Sequence, residues 1–281
     1  MTARDWCPIG NIHHGRLIEA RLQVHTAVQW LARTARAYIP PKADDSHTNL
    51  GWDDALMSFT THALKGGAQL GLRISDLTLL ILDGPQPGLF PLDGRTDLHV
   101  RKWLGEQITA RGRDATMLDA PAPYEIPANP VARGAPYDVG GQKDALLELS
   151  AWFGNANHAL SLARHHMEER KLTASAVRCW PHHFDLATLT LLDAPGAANP
   201  RSVNAGFSPG DEHYQEPYFY VSPYPYPDAA ALQMPAIGHW HTREFTAAVA
   251  PAGRIVAAKV PQRDAETFLR EAIDACIAIL N

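Results

Sequence analysis

A proline-rich segment near the middle of the chain is the feature that most limits how this sequence can fold. Five prolines lie within residues 120–137, and proline lacks a backbone N–H and clashes with a preceding helical turn. We therefore predict an extended connector there rather than a helix or a central strand. It separates an N-terminal half, residues 1–137, from a C-terminal half, residues 138–281. The two halves form either two domains or one compact unit.

Both halves show the same predicted order of elements, which is helix, strands, helix. Apolar residues recur at helical spacing over 15–38, and Pro40 and Pro41 end that helix. A second helix follows Thr96, a good N-cap, and a long helix covers 142–170. The apolar stripe of the long helix repeats every seven residues: Leu146, Phe153, Leu160 and Met167.

The remaining apolar segments predict strands. Turn residues and β-branched runs place them at 55–64, 71–82, 176–192, 218–222, 244–249 and 255–260. The segment 176–192 is either one long strand or a pair of strands, and a turn at 251–253 joins the last two segments. A final helix begins near Asp264. Because the halves contain too few crossover helices for a parallel sheet, we predict an α+β fold with antiparallel sheets.

The two halves also share local sequence. Residues 51–56, Gly-Trp-Asp-Asp-Ala-Leu, are similar to residues 183–187, His-Phe-Asp-Leu-Ala. One interpretation is an internal duplication. The other is that amphipathic helices and strands follow this order in many unrelated proteins.

Charge and hydropathy narrow the function classes. The chain has 25 basic and 30 acidic residues, a net charge of −5, which argues against nucleic-acid binding through a basic field. No apolar run reaches the length of a membrane span, and the first residues lack the pattern of a secretory signal. Three widely spaced cysteines form no CxxC pair, which is typical of a reducing compartment. We therefore predict a cytoplasmic protein.

Histidine supplies the strongest functional signal, with 14 copies. In His239-Trp240-His241, strand alternation would point the two imidazoles to one side and Trp240 to the other. Two such imidazoles can bind one zinc or iron ion. The alternative is a surface tripeptide with no ligand.

Two further segments could complete a metal site. On a strand, His183 and Asp185 would share one face and offer a nitrogen and an oxygen ligand. Alternatively, Asp185 orients a histidine, caps a turn or pairs with an arginine. His47 lies in an acidic loop, which is either functional or a solvated turn. His25, on the first helix, is predicted to be exposed.

The segment 211–226 carries both charge and aromatic side chains. Asp211, Glu212, His213 and Glu216 form a loop that could cover a pocket or be a polar turn. The tyrosines from Tyr214 to Tyr226 could stack on a planar ligand or fill a core.

Three motifs in a fixed order resemble a known family. Trp-Pro-His-His-Phe-Asp-Leu-Ala at 180–187 precedes Ala-Gly-Phe-Ser-Pro-Gly at 205–210, and Glu-Pro-Tyr-Phe-Tyr follows at 216–220 with Tyr224-Pro225 after it. This pattern is similar to the bacterial proteins grouped as domain of unknown function 5996. The resemblance spans 176–227 and continues more loosely through the final helix. It implies a compact bacterial protein of two halves and carries no activity with it.

Two functions follow from these residues. The first is a mononuclear zinc or iron enzyme acting on a small molecule, with a site drawn from His239, His241, Asp185, His183 and His47. Two histidines and a carboxylate leave coordination positions open for water, oxygen or substrate. The alternative is a metal-free protein that binds a small molecule in an aromatic pocket. The sequence leaves the oligomeric state open.

Overall fold

A computed structural model describes residues 5–194, 196–228, 232–233 and 235–281. It confirms the predicted α+β class with two antiparallel sheets. The helices are α1 (His14–Tyr38), α2 (Asp97–Ala110), α3 (Val139–Glu169), α4 (Ala252–Val256) and α5 (Pro261–Leu280). The strands are β1 (Gly51–Asp53), β2 (Ser58–Thr60), β3 (Gln69–Arg73), β4 (Thr78–Leu82), β5 (Gly88–Pro91), β6 (Thr173–Ala174), β7 (Arg178–Trp180), β8 (Asp185–Leu191), β9 (Ser202–Ser208), β10 (Tyr218–Tyr224), β11 (His239–His241) and β12 (Ala247–Pro251).

The chain folds as two compact units that are not consecutive halves. The N-terminal unit comprises Arg16–Ser150 and Cys179–Phe184. The C-terminal unit comprises the chain up to Gly15, together with Ala151–Arg178 and Asp185–Asn281. The proline-rich segment 120–137 belongs entirely to the N-terminal unit.

The N-terminal unit contains an antiparallel meander in the order β1-β2-β3-β4-β5. The single strand predicted at 71–82 is wrong, because a four-residue turn at 74–77 divides it into β3 and β4. Leu77 adopts a left-handed conformation with φ of 42°, and Arg73 pairs with Asp76 at 2.6 Å across the turn. The turn contains neither Gly nor Pro, so the sequence carries no breaker signal there.

Two other pairs of strands are joined by a four-residue turn of the same form. Residues 54–57 join β1 to β2, and residues 181–184 join β7 to β8. The last residue of each turn again has a positive φ, 48° for Met57 and 61° for Phe184. His183 therefore lies in a turn and not on the predicted strand, which begins only at Asp185.

The predicted duplication is not confirmed by the placement of the similar segments. Trp52 and Asp53 lie on β1, before a turn, whereas Phe184 ends a turn and Asp185 begins β8. The shared sequence therefore occupies different positions in the two hairpins.

The C-terminal unit contains a sheet whose main path is β11-β12-β10-β9-β8-β6, antiparallel throughout. Helix α5 packs across β9, β10 and β12. Burial confirms the predicted stripe of the long helix, since all four of its residues are at most 2% exposed: Leu146, Phe153, Leu160 and Met167.

The predicted strand at 255–260 is wrong. Pro251 ends β12, and the chain then turns into α4, where the Gly253 N–H donates to Glu216 Oε2 at 2.6 Å. The last helix begins at Pro261 rather than near Asp264, because the fixed φ of proline suits the first position of a helix. Among the described residues, no helix is both long and apolar enough to cross a membrane.

Candidate functional site

The His239-Trp240-His241 segment forms β11, which pairs with β12. Both imidazoles reach the hydroxyl of Tyr214, at 2.9 Å from His239 Nε2 and 3.0 Å from His241 Nδ1. The indole N–H of Trp240 donates instead to the carbonyl of Gln233 at 2.7 Å. The strand thus brings the two histidines together on one oxygen atom. We name Tyr214, His239 and His241 the His–Tyr–His cluster.

The protons of this cluster follow from its partners. His241 Nε2 lies 2.5 Å from the carbonyl of Arg243, which can only accept, so Nε2 carries the proton and Nδ1 accepts. The hydroxyl of Tyr214 therefore donates to His241 Nδ1. Because that hydroxyl has one proton, His239 Nε2 must donate to its oxygen. The hydrogen bonds of the cluster therefore all run in one direction: His239 donates to Tyr214, Tyr214 donates to His241, and His241 donates to the carbonyl of Arg243.

An aspartate turn places Tyr214 in this position. Asp211 Oδ1 accepts the backbone N–H groups of His213 at 2.8 Å and Tyr214 at 2.9 Å, as aspartates do in turns. The hydroxyl of Tyr218 donates to the other oxygen of Asp211 at 2.5 Å. The polar loop predicted at 211–216 therefore anchors the cluster by its backbone.

The environment of the cluster is aromatic, acidic and half-buried. Phe245 stacks on His241 with ring centroids 4.1 Å apart, and His213 meets both rings edge-on. His213 Nε2 lies 3.7 Å from a carboxylate oxygen of Glu244. Burial and the nearby Asp211 raise the pKa of Tyr214, so in the absence of an ion Tyr214 is a neutral phenol.

Asp185 lies in the same unit but bonds elsewhere. Asp185 accepts a hydrogen bond from the hydroxyl of Tyr220. Burial and the neighbouring carboxylate raise the pKa of Tyr220 well above its usual value. Gly206 on β9 makes this contact possible, because a Cβ at that position would lie 2.3 Å from the Tyr220 ring. Tyr218 and Tyr220 are thus fixed to Asp211 and Asp185, and the two rings lie 6.1 Å apart.

His183 and His47 belong to the N-terminal unit. His183 is exposed, with its ring 4.2 Å from that of His182. His47 is only 4% exposed, and its Nδ1 accepts the backbone N–H of Lys42 at 3.3 Å. Within the described part of the chain, no group of three or more His, Cys, Asp and Glu side chains is arranged to hold a metal ion.

Sequence reasoning missed two residues that matter here. The sequence predicts Tyr214 only as a stacking or core residue, although a tyrosine oxygen can bind both an imidazole and a metal ion. His25, predicted to be exposed, is buried because its ring stacks on Phe184 at 5.1 Å and its Nε2 donates to the carbonyl of Pro181 at 2.9 Å. Burial lowers the pKa of His25 to about 4.

Comparison with known proteins finds no relative of this chain. No family model, no curated protein and no solved structure matches the chain. The resemblance to domain of unknown function 5996 therefore stays a prediction.

Proposed function

We propose that the protein is a mononuclear metal-dependent enzyme acting on a small molecule, with zinc or iron held by His239, His241 and Tyr214. One observation carries the proposal: a single phenolic oxygen lies 2.9 and 3.0 Å from two imidazole nitrogens. In this ligand set the oxygen of Tyr214 replaces the predicted carboxylate. Asp185, His183 and His47 have no part in it.

The two distances from the Tyr214 oxygen to the imidazole nitrogens suit a small ion. Bonds of 2.0–2.1 Å to a tetrahedral zinc ion separate its donors by roughly 3.3 Å, so each oxygen–nitrogen distance needs to lengthen by only a few tenths of an ångström. His241 already donates its other ring N–H to the carbonyl of Arg243, as metal-bound histidines usually do. Ion binding requires His239 to move its proton to Nδ1 and Tyr214 to release its phenolic proton.

Three protein ligands leave at least one coordination position of the ion for water or a substrate. The three residues of the cluster are each half-buried, so part of their surface is accessible to water or a substrate. An ion held in this way polarises a substrate oxygen or lowers the pKa of bound water.

The metal-free alternative, a small-molecule-binding protein with an aromatic site, is favoured by a different observation. The three groups of the cluster already satisfy one another by hydrogen bonds, and the rings of His213 and Phe245 beside them offer an aromatic surface. In that case the cluster is a polar anchor beneath a stacked ligand.

Metal titration of the untagged protein separates the two functions. We expect one zinc ion per chain by calorimetry and, with ferric iron, a visible phenolate-to-iron charge-transfer band. Tyr214→Phe should abolish the band, and His239→Gln or His241→Gln should weaken zinc binding by more than about 100-fold. Tyr224→Phe is the matched control, because Tyr224 is exposed and outside the cluster.

Either of two results would overturn the metal site. One is the absence of stoichiometric binding by the wild-type protein. The other is binding that survives all three cluster substitutions unchanged. Both outcomes leave the aromatic binding protein as the better function.

A further inference from the structure

We infer that the N-terminal unit binds a small zwitterion, a molecule with one carboxylate and one ammonium group of the amino-acid class. The site is a cavity of about 160 Å³ between α1, the start of α2 and the proline-rich segment. Arg33, Asp97, Trp30 and Ile126 are among its lining residues. This inference does not depend on the proposed metal function, because every residue in it belongs to the other unit.

The positive side of the cavity is Arg33. Its guanidinium carbon lies 4.9 Å from the centroid of the Trp30 ring, so the group is held against an aromatic face. Within the described ranges, the guanidinium makes no ion pair with any carboxylate. Asp119, another acidic group near it, accepts hydrogen bonds from Arg101 Nε at 2.6 Å and Arg101 Nη2 at 2.8 Å. The planar donor array of Arg33 therefore remains open to a carboxylate.

The negative side is Asp97, the first residue of α2. The indole N–H of Trp30 and the hydroxyl of Tyr137 donate to the same oxygen, Oδ1, at 2.9 and 3.0 Å. Both donors come from buried side chains, so the carboxylate is fixed in direction. No hydrogen bond to Oδ2 is found in the described part of the chain, and this oxygen is left to accept an ammonium group.

The other polar groups of the cavity are already bonded. The Gln29 amide donates to the carbonyls of His25 and Pro181, and its oxygen accepts the Tyr124 hydroxyl at 2.9 Å. Thr26 bonds to Leu22 and Asn129. Ligand recognition therefore falls to the two opposite charges, which do not pair with each other among the described contacts.

The cavity volume sets the size of the ligand. It equals about five water molecules at roughly 30 Å³ each, well below the 300–1,000 Å³ of a drug-sized site. A small amino acid fits this volume, and Trp30 and Ile126 give its side chain an apolar surface.

The test is calorimetric titration of the full chain with L-valine and two analogues that each lack one charge, isovalerate and isobutylamine. We expect saturable valine binding with a Kd of about 1 mM or below and at least 10-fold weaker binding of both analogues. Arg33→Gln should remove the preference for valine over isobutylamine, because the carboxylate loses its partner. Asp97→Asn should remove the preference over isovalerate while keeping an acceptor for Trp30 and Tyr137.

The matched control is Arg36→Gln, one turn along the same helix, whose guanidinium lies over Tyr124. It should leave valine affinity unchanged. Equal binding of valine and isovalerate, or no saturable binding of valine in this range, would overturn the zwitterion site. Circular dichroism of each variant establishes that it is folded.

Discussion

The two units place histidines in different surroundings. His25 in the N-terminal unit is 6% exposed, stacks on Phe184 and donates to a backbone carbonyl. His239 and His241 in the C-terminal unit are half-buried and share a side-chain hydroxyl. A backbone carbonyl can only accept a hydrogen bond, whereas the phenol shared by His239 and His241 can release its proton to solvent and bind a metal ion in its place. The count of histidines therefore says less about function than the atom each ring faces.

The largest expected difference between the two regions is in packing. Phe184→Ala should lower the free energy of unfolding by about 3–5 kcal/mol, because the ring beneath His25 is 1% exposed. Phe245→Ala, which removes the ring against half-buried His241, should cost about 1–2 kcal/mol. Urea denaturation of both variants measures the two losses. Equal losses would show that the C-terminal cluster is core rather than an accessible site.

The second difference is in pH dependence. The pKa of His25 is about 4 in the folded protein, chiefly through burial, with Arg21, His183 and His182 lowering it further, against about 6.5 unfolded. The neutral form of His25 therefore contributes about 3 kcal/mol to the free energy of unfolding. This contribution is complete above pH 6.5 and is lost as the pH falls toward 4. His25→Gln, which keeps a donor for Pro181, should flatten this slope. A slope unchanged by His25→Gln would contradict the assignment.

The third effect concerns the close contact between Gly206 and the Tyr220 ring in the C-terminal unit. Gly206→Ala places a Cβ 2.3 Å from the Tyr220 ring and should cost about 1–3 kcal/mol, because the ring must leave Asp185 or the strand must shift. In a Tyr220→Ala background the same change should cost much less. A double-mutant cycle by thermal unfolding measures the coupling. Additive effects would mean that Gly206 does not serve to admit this ring.

The smallest effect is expected at the cluster itself. Tyr214→Phe removes two hydrogen bonds at a half-buried position where water can replace them, so the loss should be about 0.5–1 kcal/mol. Tyr218→Phe removes one bond to Asp211 at a buried position and should cost more. The two melting temperatures test this order, and the reverse order would mark Tyr214 as a structural anchor.

The helices were predictable because their signals are local. The predicted span 15–38 agrees with α1, His14–Tyr38, since apolar periodicity and two prolines define both the helix and its end. Thr96 is the N-cap of α2, where His99 completes a capping box. Strands were less predictable: short apolar runs fit helix or strand equally, which explains the error at 255–260.

The candidate site was predictable only in part. The common direction of His239 and His241 follows from the period of a strand, and the structure shows it. Tyr214 lies 25 residues earlier in the chain and reaches them only because β12 stands between β10 and β11 in the sheet. Such a meeting depends on strand order, which no local pattern encodes.

The three hairpin turns that end on a residue with positive φ limit the substitutions that this sequence can accept during evolution. A left-handed conformation costs an L residue about 1–2 kcal/mol, so selection should favour glycine or asparagine wherever the side chain has no other role. Leu77 and Phe184 are at most 1% exposed, and their burial locks large apolar residues into strained positions. Met57 is only half-buried, so of the three positions it should lose least when replaced by glycine. Saturation mutagenesis scored by folding should show the same asymmetry, with tolerance at 57 and intolerance at 77 and 184.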